Sequence, residues 1–169
     1  MASPQPPDFR PKVLLTSLRR HQVDFVVIGG LAGMALGSAY PSYDLDIAYD
    51  RSPDNLERLA AALRELGATL RGAPAGLPFQ LDAQTLANGS NFTFETPYGS
   101  LDILAEPTGA PRYSELKAAG QDAQIETVPV RVASIDHLIA MKEAAGRTKD
   151  KLMATEYRGL SDLMRKPRG

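Results

Sequence analysis

Apolar residues run unbroken from Phe25 to Ile28 and stop at Gly29-Gly30, the pattern of a buried strand that ends in a sharp turn. A short helix is expected over 31–36; it must end near Gly37, and Pro41 keeps the chain extended beyond it. Residues 44–49 alternate, with Leu45, Ile47 and Tyr49 on one side of a strand and Asp44 and Asp46 together on the other. Leu56, Leu59, Ala60, Leu63 and Leu66 then form the buried stripe of a helix that Ser52 or Asp54 caps and Gly67 stops. A further strand is expected over 68–71, followed by a loop at 72–78 that reads as a rim near the site. Residues 91–95 and 100–104 pair as a hairpin through Pro97-Tyr98-Gly99, with Phe92 and Phe94 directed to the core.

At the N-terminal side, 13–20 is a helix with Leu14 and Leu18 inward and Arg19 and Arg20 in water. Later, 113–116 is a short helix, and Pro129 within 123–132 predicts short or edge strands. Ser134 caps the next helix, which carries Leu138, Ile139, Met141 and Lys142. Arg147, Lys149, Asp150 and Lys151 follow Gly146, and a last helix ends near Leu163. The proline-containing segment 1–11 reads as a loose arm and 165–169 as a frayed tail.

The chain has 169 residues, 43% of them hydrophobic, enough for one core of ordinary size. A formal net charge of -1 argues against a general nucleic-acid coat. Absence of cysteine excludes disulfides and thiolate zinc sites, and the presence of only two histidines argues against a histidine-based metal centre. No apolar run reaches membrane-spanning length and no secretory signal is visible, so a soluble cytoplasmic protein with no membrane partner is expected.

The candidate chemistry lies in the carboxylates. Asp44 and Asp46 on one strand face repel each other unless a cation lies between them. Magnesium, a hard ion that shares oxygen ligands with phosphates, suits such a pair. Asp102, again a single acid among apolar neighbours, adds a third carboxylate, and the three could hold two metal ions. The alternative is that the pair is simply the wet face of an alternating strand, although aspartate is depleted in strands. Gly29 and Gly30 open a helix whose first N–H groups could receive phosphate, or make an ordinary strand-to-helix turn.

Taken together, Gly29-Gly30, Gly37, Ser42, Asp44, Asp46 and a later Asp102 resemble the nucleotidyltransferase superfamily related to DNA polymerase beta. Residues 132–142 with Ala145-Gly146-Arg147 and Lys149-Asp150 are similar to the C-terminal signature of small bacterial and archaeal proteins within it, the abortive-infection toxins of type IV toxin–antitoxin systems. The resemblance implies an α/β (α+β) fold: the minimal nucleotidyltransferase fold, a small mixed twisted sheet flanked by helices, with further helices at the C-terminus. It implies one domain over 12–164, with a catalytic core at 12–106 and C-terminal strands and helices at 107–164. Two departures stand out, Tyr40 where the family carries arginine, and Leu152-Met153-Ala154 where it carries an acid.

The same resemblance implies a nucleoside triphosphate substrate and two magnesium ions, or manganese in their place, held by Asp44, Asp46 and Asp102. Gly29, Gly30, Ser38, Ser42 and Lys142 would bind nucleotide and phosphate, with Tyr40, Arg147 and Asp150 in supporting roles. Asp150 either orients Lys142 or Arg147 or joins the metal site. The acceptor hydroxyl implied is that of an RNA, especially a tRNA end, and the implied partner is an antitoxin protein. The alternatives are a small-molecule acceptor, a protein hydroxyl, or a catalytically silent nucleotide-binding module.

Overall fold

The four consecutive apolar residues Phe25–Ile28 form β1, and all four are buried because this strand lies inside the sheet. The structure, a computed structural model, describes residues 8–74, 76 and 79–166. Most of the expected arm (1–7), part of the rim loop (75, 77 and 78) and the end of the tail (167–169) lie outside the described residues.

Helix α1 (Pro11–Arg20) precedes β1, and α2 (Gly29–Ala35), β2 (Asp44–Tyr49) and α3 (Pro53–Glu65) follow it. Next come β3 (Thr69–Leu70), α4 (Ala83–Asn88) and the hairpin of β4 (Asn91–Thr96) and β5 (Gly99–Leu104). The chain continues with α5 (Tyr113–Ala119), the hairpin of β6 (Gln121–Ile125) and β7 (Val128–Val132), then α6 (Ile135–Ala145) and α7 (Thr148–Arg165). The strands form one mixed sheet in the order β3-β4-β5-β2-β1-β7-β6. β2 pairs in parallel with β5, and β1 with β7; the other neighbours are antiparallel. This is the expected open, mixed sheet flanked by helices.

Local signals operate as predicted. The Ser52 side chain accepts the Asn55 N–H and that of Ser134 accepts the His137 N–H, caps worth about 1 kcal/mol each. Every member of the α3 stripe is buried, each leucine contributing about 1.5–3 kcal/mol. Leu45, Ile47, Tyr49, Leu101, Ile103 and Phe94 are fully buried in one cluster with Leu14 and Leu18 of α1. The face bearing Asp44 and Asp46 is packed over β1 and β2 by α2, which touches α6, and α6 lies along α7.

Three elements depart from the sequence reading. Helix α4 is an addition to it; this helix is six residues long with only Leu86 buried, too short to display a helical period. β7 is an interior strand and β6 the edge. β7 tolerates Pro129 because its pairing with β1 is confined to Val132 opposite Val27, leaving no β1 backbone alongside the proline. The last helix begins at Thr148, so Lys149, Asp150 and Lys151 sit in its first turn, where Asp150 accepts the Arg147 N–H at 3.3 Å.

Candidate active site

Strand register assembles the acidic trio. Asp46 lies opposite Asp102 across the parallel β2–β5 pair, and Asp44 lies opposite Ser100, so all four share one face. Asp44, Asp46 and Asp102 are half-buried, and each offers a carboxylate oxygen within 4.8 Å of the others.

The glycines make room for this arrangement. Gly29 has φ 71°, in the left-handed region, and a β-carbon there would overlap the Asp46 carboxylate. A β-carbon on Gly30 would stand 2.9 Å from the Ser42 hydroxyl oxygen. Helix α2 therefore begins at Gly29 itself, ahead of the expected start, and brings the N–H groups of its first turn against the acidic face.

Burial pushes the Asp46 carboxyl up to about 7, with the charges of Asp44 and Asp102 and a hydrogen bond to Asp102 adding to it and Lys142 opposing. Burial also raises the Asp102 carboxyl, and the Arg71 guanidinium beside it only partly offsets the rise. Three converging oxygen donors, of which Asp46 and Asp102 hold their protons more tightly than usual, are a fitting cage for a hard divalent cation, magnesium or manganese, which would relieve the repulsion.

Positive charge borders the trio on one side. A cleft of ≈ 380 Å³ is lined by Gly30, Pro41, Ser42, Tyr43, Asp44 and Asp46 and, from α6, α7 and their junction, by Lys142, Arg147, Lys149, Asp150 and Met153. Asp150 is 1% exposed and accepts from Lys142 Nζ at 3.4 Å and from Arg147 Nε at 2.7 Å. The Arg147 hydrogen bond holds the Asp150 carboxyl below its usual range against the effect of burial, and Lys142 assists. Asp150 thus bonds both cations and stands outside the acidic trio.

Two anticipated residues are placed elsewhere. The Ser38 hydroxyl, expected to meet phosphate, donates instead to the Glu156 carboxylate, whose other oxygen accepts the Ala39 N–H at 3.0 Å. Tyr40 is half-buried against the core and does not line the cleft. Ser42 does line it, with its hydroxyl 3.3 Å from Asp44 Oδ1.

Three residues of the site carry no clear mark in the sequence. Glu156, six positions after Asp150, anchors the loop between α2 and β2, whereas the family pattern directs attention to 152–154. Arg71 bonds Asp102 at 2.8 Å and Glu95 at 2.6 Å. The only signal for the latter two was parity: Glu95 falls on the Asp102 face once the hairpin register is known.

No protein-family model matches the chain, and no curated protein matches it. Solved structures do. The lincosamide antibiotic adenylyltransferase LnuA, in its lincomycin-bound form, superposes with a TM-score of 0.61 at 15% identity, over 90% of this chain and 99% of that one. A candidate nucleotidyltransferase from Thermotoga maritima superposes with a TM-score of 0.56 at 12% identity, over 90% of this chain and 96% of that one. The acidic trio, the glycine-opened helix and the C-terminal helices are thus carried on the same fold as these nucleotidyltransferases.

Proposed function

We propose that this protein is a divalent-cation-dependent nucleotidyltransferase that moves a nucleoside monophosphate from a nucleoside triphosphate to a hydroxyl of a small molecule. The observation that carries this reading is the convergence of Asp44, Asp46 and Asp102 beside a helix start that only glycine permits.

Asp44, Asp46 and Asp102 would hold the cations, which supply charge neutralisation at the phosphoryl oxygens and acidify the attacking hydroxyl. The triphosphate lies along the cleft, where Ser42 donates a hydrogen bond and Lys142, held by Asp150, offers a point charge to the outgoing diphosphate. Arg147 reinforces that side. Gly29 and Gly30 let the backbone N–H groups of α2 approach the phosphates. The acceptor oxygen bonds to the α-phosphorus, the bond from that phosphorus to the bridging oxygen breaks, and the hydroxyl proton passes to Asp102.

The surface beyond the cleft at Ser42 and Tyr43 offers an RNA strand little positive charge to follow. A crevice of ≈ 660 Å³ that meets the cleft at Ser42 and Tyr43 is lined by Asp8, Glu126 and apolar or neutral residues, with no lysine or arginine among the described residues. An RNA strand requires cations along its phosphates. The relation to LnuA, which acts on a lincosamide antibiotic, points the same way. The toxin role and antitoxin partner implied by the sequence resemblance gain no support from these surfaces.

The test is incubation with labelled nucleoside triphosphates, magnesium, total RNA and a small-molecule extract, followed by separation of RNA, protein and small-molecule fractions. Label in the small-molecule fraction, abolished by Asp44→Asn or Asp46→Asn with circular dichroism unchanged, is expected. Label chiefly in RNA would return the acceptor to nucleic acid, and undiminished transfer by either variant would remove the carboxylates from the mechanism.

A further inference from the structure

The cations around the acidic trio are held in two ways. Lys142 and Arg147 bond the buried Asp150, which stands outside the trio. Arg71, the first residue past the edge strand β3, extends across β4 and donates from Nη2 to Asp102 Oδ1 at 2.8 Å. Among the described residues it is the one cation ion-paired to a member of the trio.

Arg71 is aimed at that place by its neighbours. Its backbone N–H donates to Thr93 O at 2.9 Å, and its Nε donates to Glu95 Oε1 at 2.6 Å. Glu95 is fixed in turn from β5, with its two carboxylate oxygens 3.0 and 3.1 Å from the Ser100 hydroxyl. The guanidinium is therefore divided between a carboxylate that belongs to the trio and one that does not, with Nη2 on Asp102 and Nε on Glu95.

A carboxylate has lone pairs enough for a guanidinium and a metal ion together, so the two contend for Asp102 through charge rather than space. On one half-buried carboxylate a divalent ion and a guanidinium are close enough that their repulsion exceeds what a single hydrogen bond returns. Glu95 keeps the penalty for releasing Arg71 low. Loss of Asp102 leaves the Nε bond to Glu95 intact, and the Arg71 side chain is 38% exposed, so water meets the freed Nη2. No buried charge is left without a partner.

We infer that Arg71 is a competitor, built into the chain, for the cation at Asp102: it holds that carboxylate until a divalent ion displaces it and is then kept by Glu95. This rests on the nucleotidyl-transfer reading and deepens it by naming what regulates the site. Asp44 and Asp46, which no guanidinium bonds among the described residues, accept their ion unopposed. Occupation of the Asp102 side is graded by cation supply, and transfer is graded with it, because Asp102 is the residue placed to take the acceptor proton. Glu95 and Ser100 are positioning residues that act through Arg71.

The experiment titrates manganese into the full chain with a non-hydrolysable nucleoside triphosphate analogue, and reads bound ions by electron paramagnetic resonance. Wild type is expected to take one ion firmly and a second weakly. Arg71→Ala tightens the second about tenfold, the effect of one hydrogen bond between charged groups, and leaves the first within about twofold. A merely structural role for Arg71 would weaken the site instead. In Asp102→Asn the further change Arg71→Ala gains nothing, because the contested carboxylate is gone. Glu95→Gln leaves Asp102 as the one charged partner of Arg71 and weakens the second ion about threefold, a reading that stands even if Arg71→Ala does not fold. Equal tightening of both ions by Arg71→Ala would reduce Arg71 to a general field and overturn the inference. So would no tightening, two equally firm ions in wild type, a gain that persists in Asp102→Asn, or an unchanged second ion in Glu95→Gln. Wild type that binds no manganese beyond what the analogue binds alone overturns the nucleotidyl-transfer reading itself.

Discussion

Gly29 and Asp46 are in contact, so closely that the glycine cannot carry a side chain while the carboxylate keeps its place. The backbone at Gly29, with φ 71°, adds a second demand for glycine at the same position. Gly29→Ala should therefore displace Asp46, abolish cation-dependent transfer and cost about 1–3 kcal/mol of stability. Gly159, inside α7 with no atom within 4 Å of an added β-carbon, is the matched comparison. Gly159→Ala should raise stability by about 1 kcal/mol, as alanine replaces glycine in an exposed helix. Magnesium titration calorimetry and thermal unfolding of the two variants check both statements.

The raised Asp46 carboxyl sets a pH dependence. Its ordinary value is 3.8 and its value in the folded protein about 7, so the native state holds this proton more tightly than the unfolded chain. The stability it contributes is present at low pH and is lost as pH rises from about 4 through about 7. In chelator, the melting temperature should fall between about pH 5 and about pH 8 through this group. Magnesium, which needs the ionised carboxylate, should raise the melting temperature more at the higher pH. Scanning fluorimetry at both values measures this, and equal magnesium increments would show that Asp46 and the cation are uncoupled.

Asp150 holds Lys142 and Arg147 from a buried position. Asp150→Asn should free both cations from their anchor and raise KM for the nucleotide about tenfold, with stability lowered by about 1–3 kcal/mol. Lys142→Ala should raise the same KM while costing less stability, since it is the buried carboxylate that most needs a partner. Nucleotide titrations and unfolding curves of the two proteins separate these effects.

Tyr157 is fully buried against Gly33, and its hydroxyl has no hydrogen-bond partner among the described residues. Tyr157→Phe removes the unpaired polar group while keeping the ring, and should raise stability by about 1 kcal/mol. A measured loss of stability on denaturant unfolding would mean that the hydroxyl is satisfied in solution.

Much of this molecule is written locally in its sequence. The caps at Ser52 and Ser134, the leucine stripe of α3, the apolar run of β1 and the alternation of β2 depend on residues within one or two turns of each other. Local pattern also made Asp44, Asp46 and Asp102 stand out as acids among apolar neighbours. What the chain order could not decide is pairing between distant segments. β2 finds β5 in parallel register, which sets Asp102 beside Asp46; a shift of one residue would turn that carboxylate to the opposite face. Glu156 takes the Ser38 hydroxyl from 118 positions away, Arg71 joins Glu95 to Asp102, and β7 enters the sheet despite Pro129. Periodicity reports which face of an element is buried, because that follows from backbone geometry within the element. Which other element lies against it is set by the packing of the whole chain, and the acidic trio exists only after that packing is complete.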